Sequence, residues 1–490
     1  AERDPRQLVL CIPPENSHTE VSEVTLQIYG DPGTTVEIAG REALPIPAAG
    51  LLEVTHQLSH FGLNRLPIIC RNNNKSIEIY RNFTLLPDPN LEKLRELSEK
   101  LRAAGRSEQH ILAFLEQVKK NTGYSRSDRE TAANLLAEGK RQLVAAEIEK
   151  TSQGDNPLAA AFLENARWAF QEQLFERSEY YLALNRSVAA AGKMDGWAVS
   201  VKPVDFQGHF ALQLQNSRLT ATIMETGGRI ISLKNGEVEC LSPGTFAFGL
   251  TRLERARQQT DKSMVTRLKG YNGYEDAGGG NLWPVSFVDW NLSFRELSAQ
   301  RIVLVAETML PDSPFLIRRI MSLEADSPDL VIEYEFTNTT PKELASDDPS
   351  HFQLTWRGRL VPAIGEGEQA RLHDQLVIPT DKVLQATLFD LNNPVFYEER
   401  QVKLTGRVMG AFDTVSGKGL AMILDPQMTH AYIWFNTDPK AGYGQPTYTV
   451  EIPRSFYGRE YNDPQANAPF TIPAGTSLNL RLIFRVLENI

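Results

Sequence analysis

From Trp197 to Ile490 one short segment after another alternates apolar and polar residues, and no helical period interrupts the series. A stretch of that length with period two buries its apolar positions only by pairing strands into large packed sheets. Segments with this pattern include Thr220 to Met224, Arg229 to Lys234, Val285 to Phe294, Ile302 to Met309, Phe315 to Leu323, Val331 to Asn338, Thr447 to Ile452 and Leu478 to Val486. A single all-β domain over residues 196–490 is the expectation.

The period changes once before that, at Pro87-Asp88-Pro89-Asn90. On its N-terminal side, short runs such as Glu23 to Tyr29, Thr35 to Ile38 and Arg65 to Cys70 are punctuated by Asp31-Pro32-Gly33, Pro45 to Gly50 and Asn72-Asn73-Asn74. Many short strands with turn residues between them predict a small antiparallel β-sandwich of immunoglobulin-like size over residues 1–87. On its C-terminal side the period is near 3.6. Asp88 can cap a helix with Pro89 in its first turn, and Leu91, Leu94, Leu97 and Leu101 form its apolar stripe. Ser127 and Glu130 stand in capping-box spacing at the head of a third helix. A last helical stretch carries Trp168, Phe170, Phe175, Tyr180 and Tyr181, with a break expected near Gln173. Their spacing suits one buried helix face, so the aromatic residues read as core. Residues 88–195 are therefore expected to form a small helical domain, and the whole chain a multidomain, mainly β protein.

Composition narrows the partners. The formal net charge of -10 argues against nucleic acid or an anionic membrane surface. No apolar run reaches the roughly eighteen residues that cross a bilayer, so no membrane span is expected. The chain opens AERDPR without an initiator Met, which fits a mature product after signal-peptide removal; a periplasmic or secreted location is the expectation. Cys11 and Cys70 stand on early and late strands of the first part, as cross-strand partners would, which leaves Cys240 over. His56 and His60 lack a third ligand at metal spacing, so no metal site and no cofactor are expected. Cys-x-x-Cys, His-Glu-x-x-His, phosphate-loop and Gly-x-Ser-x-Gly patterns are absent.

Chemistry concentrates in Val331 to Leu360, VIEYEFTNTTPKELASDDPSHFQLTWRGRL. It reads as two antiparallel strands joined through Pro341 and Asp347-Asp348-Pro349. On the second, His351, Gln353, Thr355 and Arg357 share one face, while Phe352, Leu354 and Trp356 share the other. A face with an imidazole, an amide and a guanidinium fits a sugar cleft, and it fits an ordinary solvated outer face as well. Aromatic platforms for sugar C–H edges would come from Trp283, Trp290, Trp434 and Tyr457. Asp413, just before Ser416-Gly417, reads either as a hydroxyl ligand or as a turn former. For Arg229 a strand-surface salt bridge is the expected role.

Several local patterns in this final part resemble the galactose mutarotase-like superfamily, which includes the aldose 1-epimerases. They are Thr220 to Leu233 (TATIMETGGRIISL), Gly278-Gly279-Gly280-Asn281-Leu282-Trp283-Pro284, the Asn338 to His351-Phe352 stretch, Leu376 to Leu391 and Pro469 to Val486. Their order over residues 220–486 is what carries the resemblance. It implies a β-supersandwich over 196–490, His351 as the group that protonates the ring oxygen, and Glu451 or Glu460 as the base. Asn281 stands near the place where a His often follows the glycines. The resemblance implies a carbohydrate, mono- or oligosaccharide, as partner and an epimerase-like reaction as the chemistry if there is one. The rival expectation is a noncatalytic envelope scaffold or protein-interaction protein.

Overall fold

A computed structural model describes residues 9–59, 61–73, 75–120, 124–151, 156–192, 194–206, 208–241, 247–248, 268–269, 273–278, 285, 288–309, 314–345, 355–365, 374–379, 384–387, 398–436, 447–455 and 471–488. The chain is mainly β and divides into two compact units, Ala1–Thr151 and Ser152–Ile490.

In the first unit, a three-stranded sheet (Val9–Ile12, Glu23–Gly30, Leu51–Gln57) and a five-stranded sheet (Ser17–Thr19, Lys75–Leu85, Gly62–Asn72, Thr35–Ile38, Leu44–Pro45) enclose one apolar core. Alternation sets which residues enter it. Val24, Leu26 and Ile28 from one sheet meet Val36, Ile38, Ile68 and Phe83 from the other. Three helices follow, α1 (Pro89–Ala103), α2 (Gln109–Lys120) and α3 (Arg126–Lys150). Asp88 caps α1 as expected, accepting from the Asn90 N–H at 2.9 Å. The capping box of α3 lies two residues earlier than the sequence suggested. Ser125 Oγ accepts from the Asp128 N–H at 3.1 Å, and Asp128 accepts from the Ser125 N–H at 2.9 Å, so an aspartate does the work expected of Glu130. Helices α1 and α3 approach closely at Gly139, where a Cβ would stand 2.5 Å from the Leu97 side chain. Tyr124 ties helices to strands: its hydroxyl donates to Asp88 at 2.6 Å and its carbonyl accepts from the Ser22 N–H at 2.7 Å.

The helical stretch is thus shared between the two units. Helices α4 (Pro157–Gln171) and α5 (Phe175–Ala191) fall in the second, separated by a break at Gln173, whose φ is 62°. Polar groups on α5 explain the division, because they bind the β-sheets of the second unit as described below.

Among the described residues the two large sheets of the second unit hold ten and nine strands, beside two short strand pairs. The first runs Glu398–Lys403, His430–Asn436, Thr447–Ser455, Thr355–Leu360, Tyr274–Gly278, Ile230–Asn235, Leu219–Met224, His209–Gln215, Ser200–Phe206, with Val238–Glu239 beside Ile230–Asn235. The second runs Asn291–Leu297, Arg301–Met309, Phe315–Glu324, Asp329–Asn338, Ser477–Leu487, Gly419–Ile423, Val408–Asp413, Asp374–Ile378, Leu384–Thr387. The two strands expected around Pro341 are therefore not partners. Asp329–Asn338 pairs with Phe315–Glu324 and Ser477–Leu487, while Thr355–Leu360 pairs with Tyr274–Gly278 and Thr447–Ser455 in the other sheet. Their apolar faces meet across the core instead: the Trp356 ring lies 4.8 Å from Tyr334 and 5.4 Å from Phe336. Trp356 is fully buried, as its alternation away from His351 predicts.

Candidate functional site

The candidate site is built on three neighbouring strands of the ten-stranded sheet, Thr355–Leu360, Thr447–Ser455 and His430–Asn436. Antiparallel pairing sets Arg359 opposite Glu451, and Glu451 opposite Tyr432. Trp434 pairs with Thr449, and Arg357 pairs with Ala277 on one side and Pro453 on the other. By the period of two, positions 357, 359, 432, 434, 449 and 451 belong to one face of the sheet. The opposite face is closed: Trp356, Gly358 and Leu360 are buried. Gly358 is required there, since a Cβ would meet the Tyr274 hydroxyl at 2.5 Å.

Behind that face lies a buried ionic network. Asp276 accepts from Trp356 Nε1 at 2.9 Å and from the Tyr334 hydroxyl at 2.8 Å, and it pairs with Arg319, both side chains having no exposed surface. Arg319 also donates to the Gly228 carbonyl. Its guanidinium lies 5.1 Å from the Trp290 ring centre, with Tyr334 at 5.4 Å and Tyr274 at 5.5 Å. Burial alone would lower the Arg319 pKa, and the Asp276 carboxylate reverses that, so the guanidinium is held charged. Burial raises the pKa of Tyr334 and Tyr274, and Asp276 pushes the same way, so both phenols stay protonated as donors. Strands from both sheets and the Gly227-Gly228 turn are thereby fixed to one carboxylate.

A second ionic network docks α5. Glu225 pairs with Arg177 at 2.9 Å and accepts from the Tyr181 hydroxyl at 2.8 Å and the Tyr180 hydroxyl at 3.2 Å. Tyr180 in turn accepts from the Leu292 N–H at 2.7 Å, and Arg177 donates to Asn291 at 2.9 Å. Burial opposes the Arg177 charge and Glu225 restores it, so its pKa is raised.

Of the residues expected to form the site, His351, Gln353, Glu460, Asn281, Trp283 and Tyr457 lie outside the described residues. Arg357, Glu451 and Trp434 fall on the same face at staggered positions: Glu451 is opposite Arg359 and Tyr432, with Arg357 two positions to one side of that level and Trp434 two positions to the other. Asp413 is a turn former: its carboxylate accepts from the Val415 N–H at 2.8 Å and closes the hairpin between Val408–Asp413 and Gly419–Ile423. Trp290 is not a sugar platform; it is fully buried and donates to the Val285 carbonyl at 2.9 Å. Arg229 is not at a strand surface either but has no exposed area. Sequence reasoning missed Asp276, Arg319, Arg177 and Glu225. For Arg319 a signal was present, because it occupies the inward parity of Phe315, Ile317, Met321 and Leu323. A charge at an apolar parity needs a buried partner.

Among the described residues no group of His, Cys, Asp and Glu is arranged to hold a metal ion, and no helix is long and apolar enough to cross a membrane.

No protein-family model matches the chain, and no curated protein matches it in sequence. In structure it is similar to a galactose mutarotase-like protein from Clostridium acetobutylicum, at 11% identity and a TM-score of 0.43, over 60% of this chain and 99% of that one. A galactose mutarotase-like protein from Lactobacillus casei is similar at 13% identity and a TM-score of 0.37, over 56% of this chain and 99% of that one. A TPR-domain containing protein from Parabacteroides distasonis is similar at 12% identity and a TM-score of 0.40, over 59% of this chain, and there the match spans 53% of the other protein's length.

Proposed function

We propose that the second unit is a β-supersandwich that holds a carbohydrate on the ten-stranded sheet, in an exported protein whose first unit is an immunoglobulin-like sandwich with appended helices. The observation that carries the proposal is the register that brings Arg357, Glu451 and Trp434 to one face of three consecutive strands, over a buried face anchored by Asp276. An arginine offers paired donors to vicinal hydroxyls or to a uronic carboxylate, and an indole excludes water from a sugar's C–H edge. Those are the elements of sugar recognition.

Catalysis at C1 of an aldose needs two further roles. A carboxylate, Glu451 or Glu460, takes the anomeric hydroxyl proton, and His351 protonates the ring oxygen as the C1–O5 bond opens. Rotation about C1–C2 and the reverse proton transfers return the other anomer. His351, four residues before Thr355, and a glutamate on or after Thr447–Ser455 suit this pairing by chain order.

Calorimetric titration with a panel of aldoses, uronic acids and oligosaccharides tests binding, and polarimetry tests mutarotation. We expect millimolar or tighter binding by the native protein, weakened about tenfold or more by Arg357→Ala or Trp434→Ala. If the site is catalytic, His351→Ala lowers the rate by about 100-fold or more. A native protein that binds no sugar in the panel and turns over no aldose faster than buffer overturns the reading.

A further inference from the structure

We propose that Cys11 and Cys70 are a redox pair that closes a disulfide between the two sheets of the N-terminal sandwich. Cys11 stands on Val9–Ile12 in the three-stranded sheet and Cys70 on Gly62–Asn72 in the five-stranded sheet. Both are buried and belong to the single core cluster that the two sheets enclose, so each points from its own sheet into the same interior. All three cysteines of the structure are free thiols. Cys240 belongs to the other compact unit and packs among its own strands, within 3.7 Å of the Gly419 carbonyl.

The surroundings order the two thiols. Arg81 reaches across from Lys75–Leu85 and donates to the Cys11 carbonyl and to the Pro13 carbonyl, each at 3.1 Å. Burial raises the Cys11 pKa and the Arg81 guanidinium opposes it, whereas burial and the neighbouring Cys11 push Cys70 up to about 11. Among the described residues Val9–Ile12 is also an edge strand, paired with Glu23–Gly30 alone. Local opening of an edge exposes Cys11 before any central strand.

With a small-molecule disulfide as oxidant, the Cys11 thiolate attacks one sulfur, forming a mixed disulfide and releasing one thiolate. Cys70, losing its proton, attacks the Cys11 sulfur and releases the second. Two protein thiols are oxidised, one disulfide is reduced to two thiols, and the two protons pass to the leaving groups.

The full chain is equilibrated in glutathione buffers from fully reduced to fully oxidised, alkylated under denaturing conditions and mapped by peptide mass spectrometry. The expected result is one linked pair, Cys11 with Cys70, and an alkylated Cys240. The transition of the N-terminal unit rises by on the order of 10 °C on oxidation. In Cys70→Ser, oxidised glutathione is trapped at Cys11, and in Cys11→Ser the adduct at Cys70 forms at least tenfold more slowly. Three alkylated thiols under the most oxidising buffer, or a link through Cys240, overturn the proposal. Equal trapping at both positions overturns the order of attack.

Discussion

Two buried arginine–carboxylate pairs, Arg319 with Asp276 and Arg177 with Glu225, share a chemistry and differ in what they join. Each carboxylate collects an arginine and hydroxyl or indole donors from aromatic residues: Tyr334 and Trp356 around Asp276, Tyr180 and Tyr181 around Glu225. The first pair has no exposed surface and clamps one sheet to the other. The second keeps a little exposure, 9% for Arg177, and fastens a helix to a sheet corner. Burial without a partner is what makes such groups costly, so the same substitution should hurt most where water is most completely excluded. The Asp276 pair therefore secures the platform beneath the candidate sugar face. The Glu225 pair decides which unit α5 belongs to.

Asp276→Ala leaves Arg319 charged and unpaired in the core, and we expect a loss of about 3–5 kcal/mol from the second unit's stability in urea unfolding. Glu225→Ala should cost less, about 2–3 kcal/mol, because Arg177 can recover water at the helix edge. Limited proteolysis of that variant should cut near Gly192 to Gly196 while the sheets stay folded. If Glu225→Ala proves the more damaging, the ranking by water exclusion is wrong.

Gly228→Ala sharpens the comparison from the backbone side. Gly228 has a φ of +55°, its carbonyl accepts from Arg319, and an added Cβ would stand 3.0 Å from the Trp290 ring. We expect a loss of about 1–3 kcal/mol in the same measurement.

The smallest effect belongs to an exposed pair of the same type, Arg141 with Glu138 on α3, at 2.6 Å and 46% exposure on each side. Water screens it, so Glu138→Gln should cost below about 0.5 kcal/mol. Hydrogen bonds from Arg141 and Gln142 lower the Glu138 pKa to about 2. A carboxylate depressed in the folded chain adds stability that is whole above the unfolded value near 4.3 and is lost as pH falls through about 2. NMR titration of Glu138 gives the folded midpoint, and a value at the unfolded one would remove the pair.

Much of this was legible before any coordinates. Asp88 and Pro89 mark the start of α1, Gln173 marks the α4–α5 break, and Trp356 is inward because alternation demands it. The Trp290 and Arg229 roles were misread for one reason: both follow the Gly227-Gly228 turn or its facing loop, where strand alternation no longer predicts side. For the candidate site, strand parity singled out Arg357, aromatic character Trp434 and the family resemblance Glu451, and none of these signals said that the three share one face of consecutive strands.

By itself the sequence determined the local periods, most of the turns, the α1 cap and the inward side of regularly alternating strands, because these depend on interactions a few positions apart. Only the tertiary structure decided which strands are partners. Asp329–Asn338 and Thr355–Leu360 look like a hairpin in sequence but stand in facing sheets, where Tyr334, Phe336 and Trp356 are buried against one another. The Asp276–Arg319 pair belongs to the same class of fact. Its members come from different strands, and only close packing across the core makes two charges there tolerable.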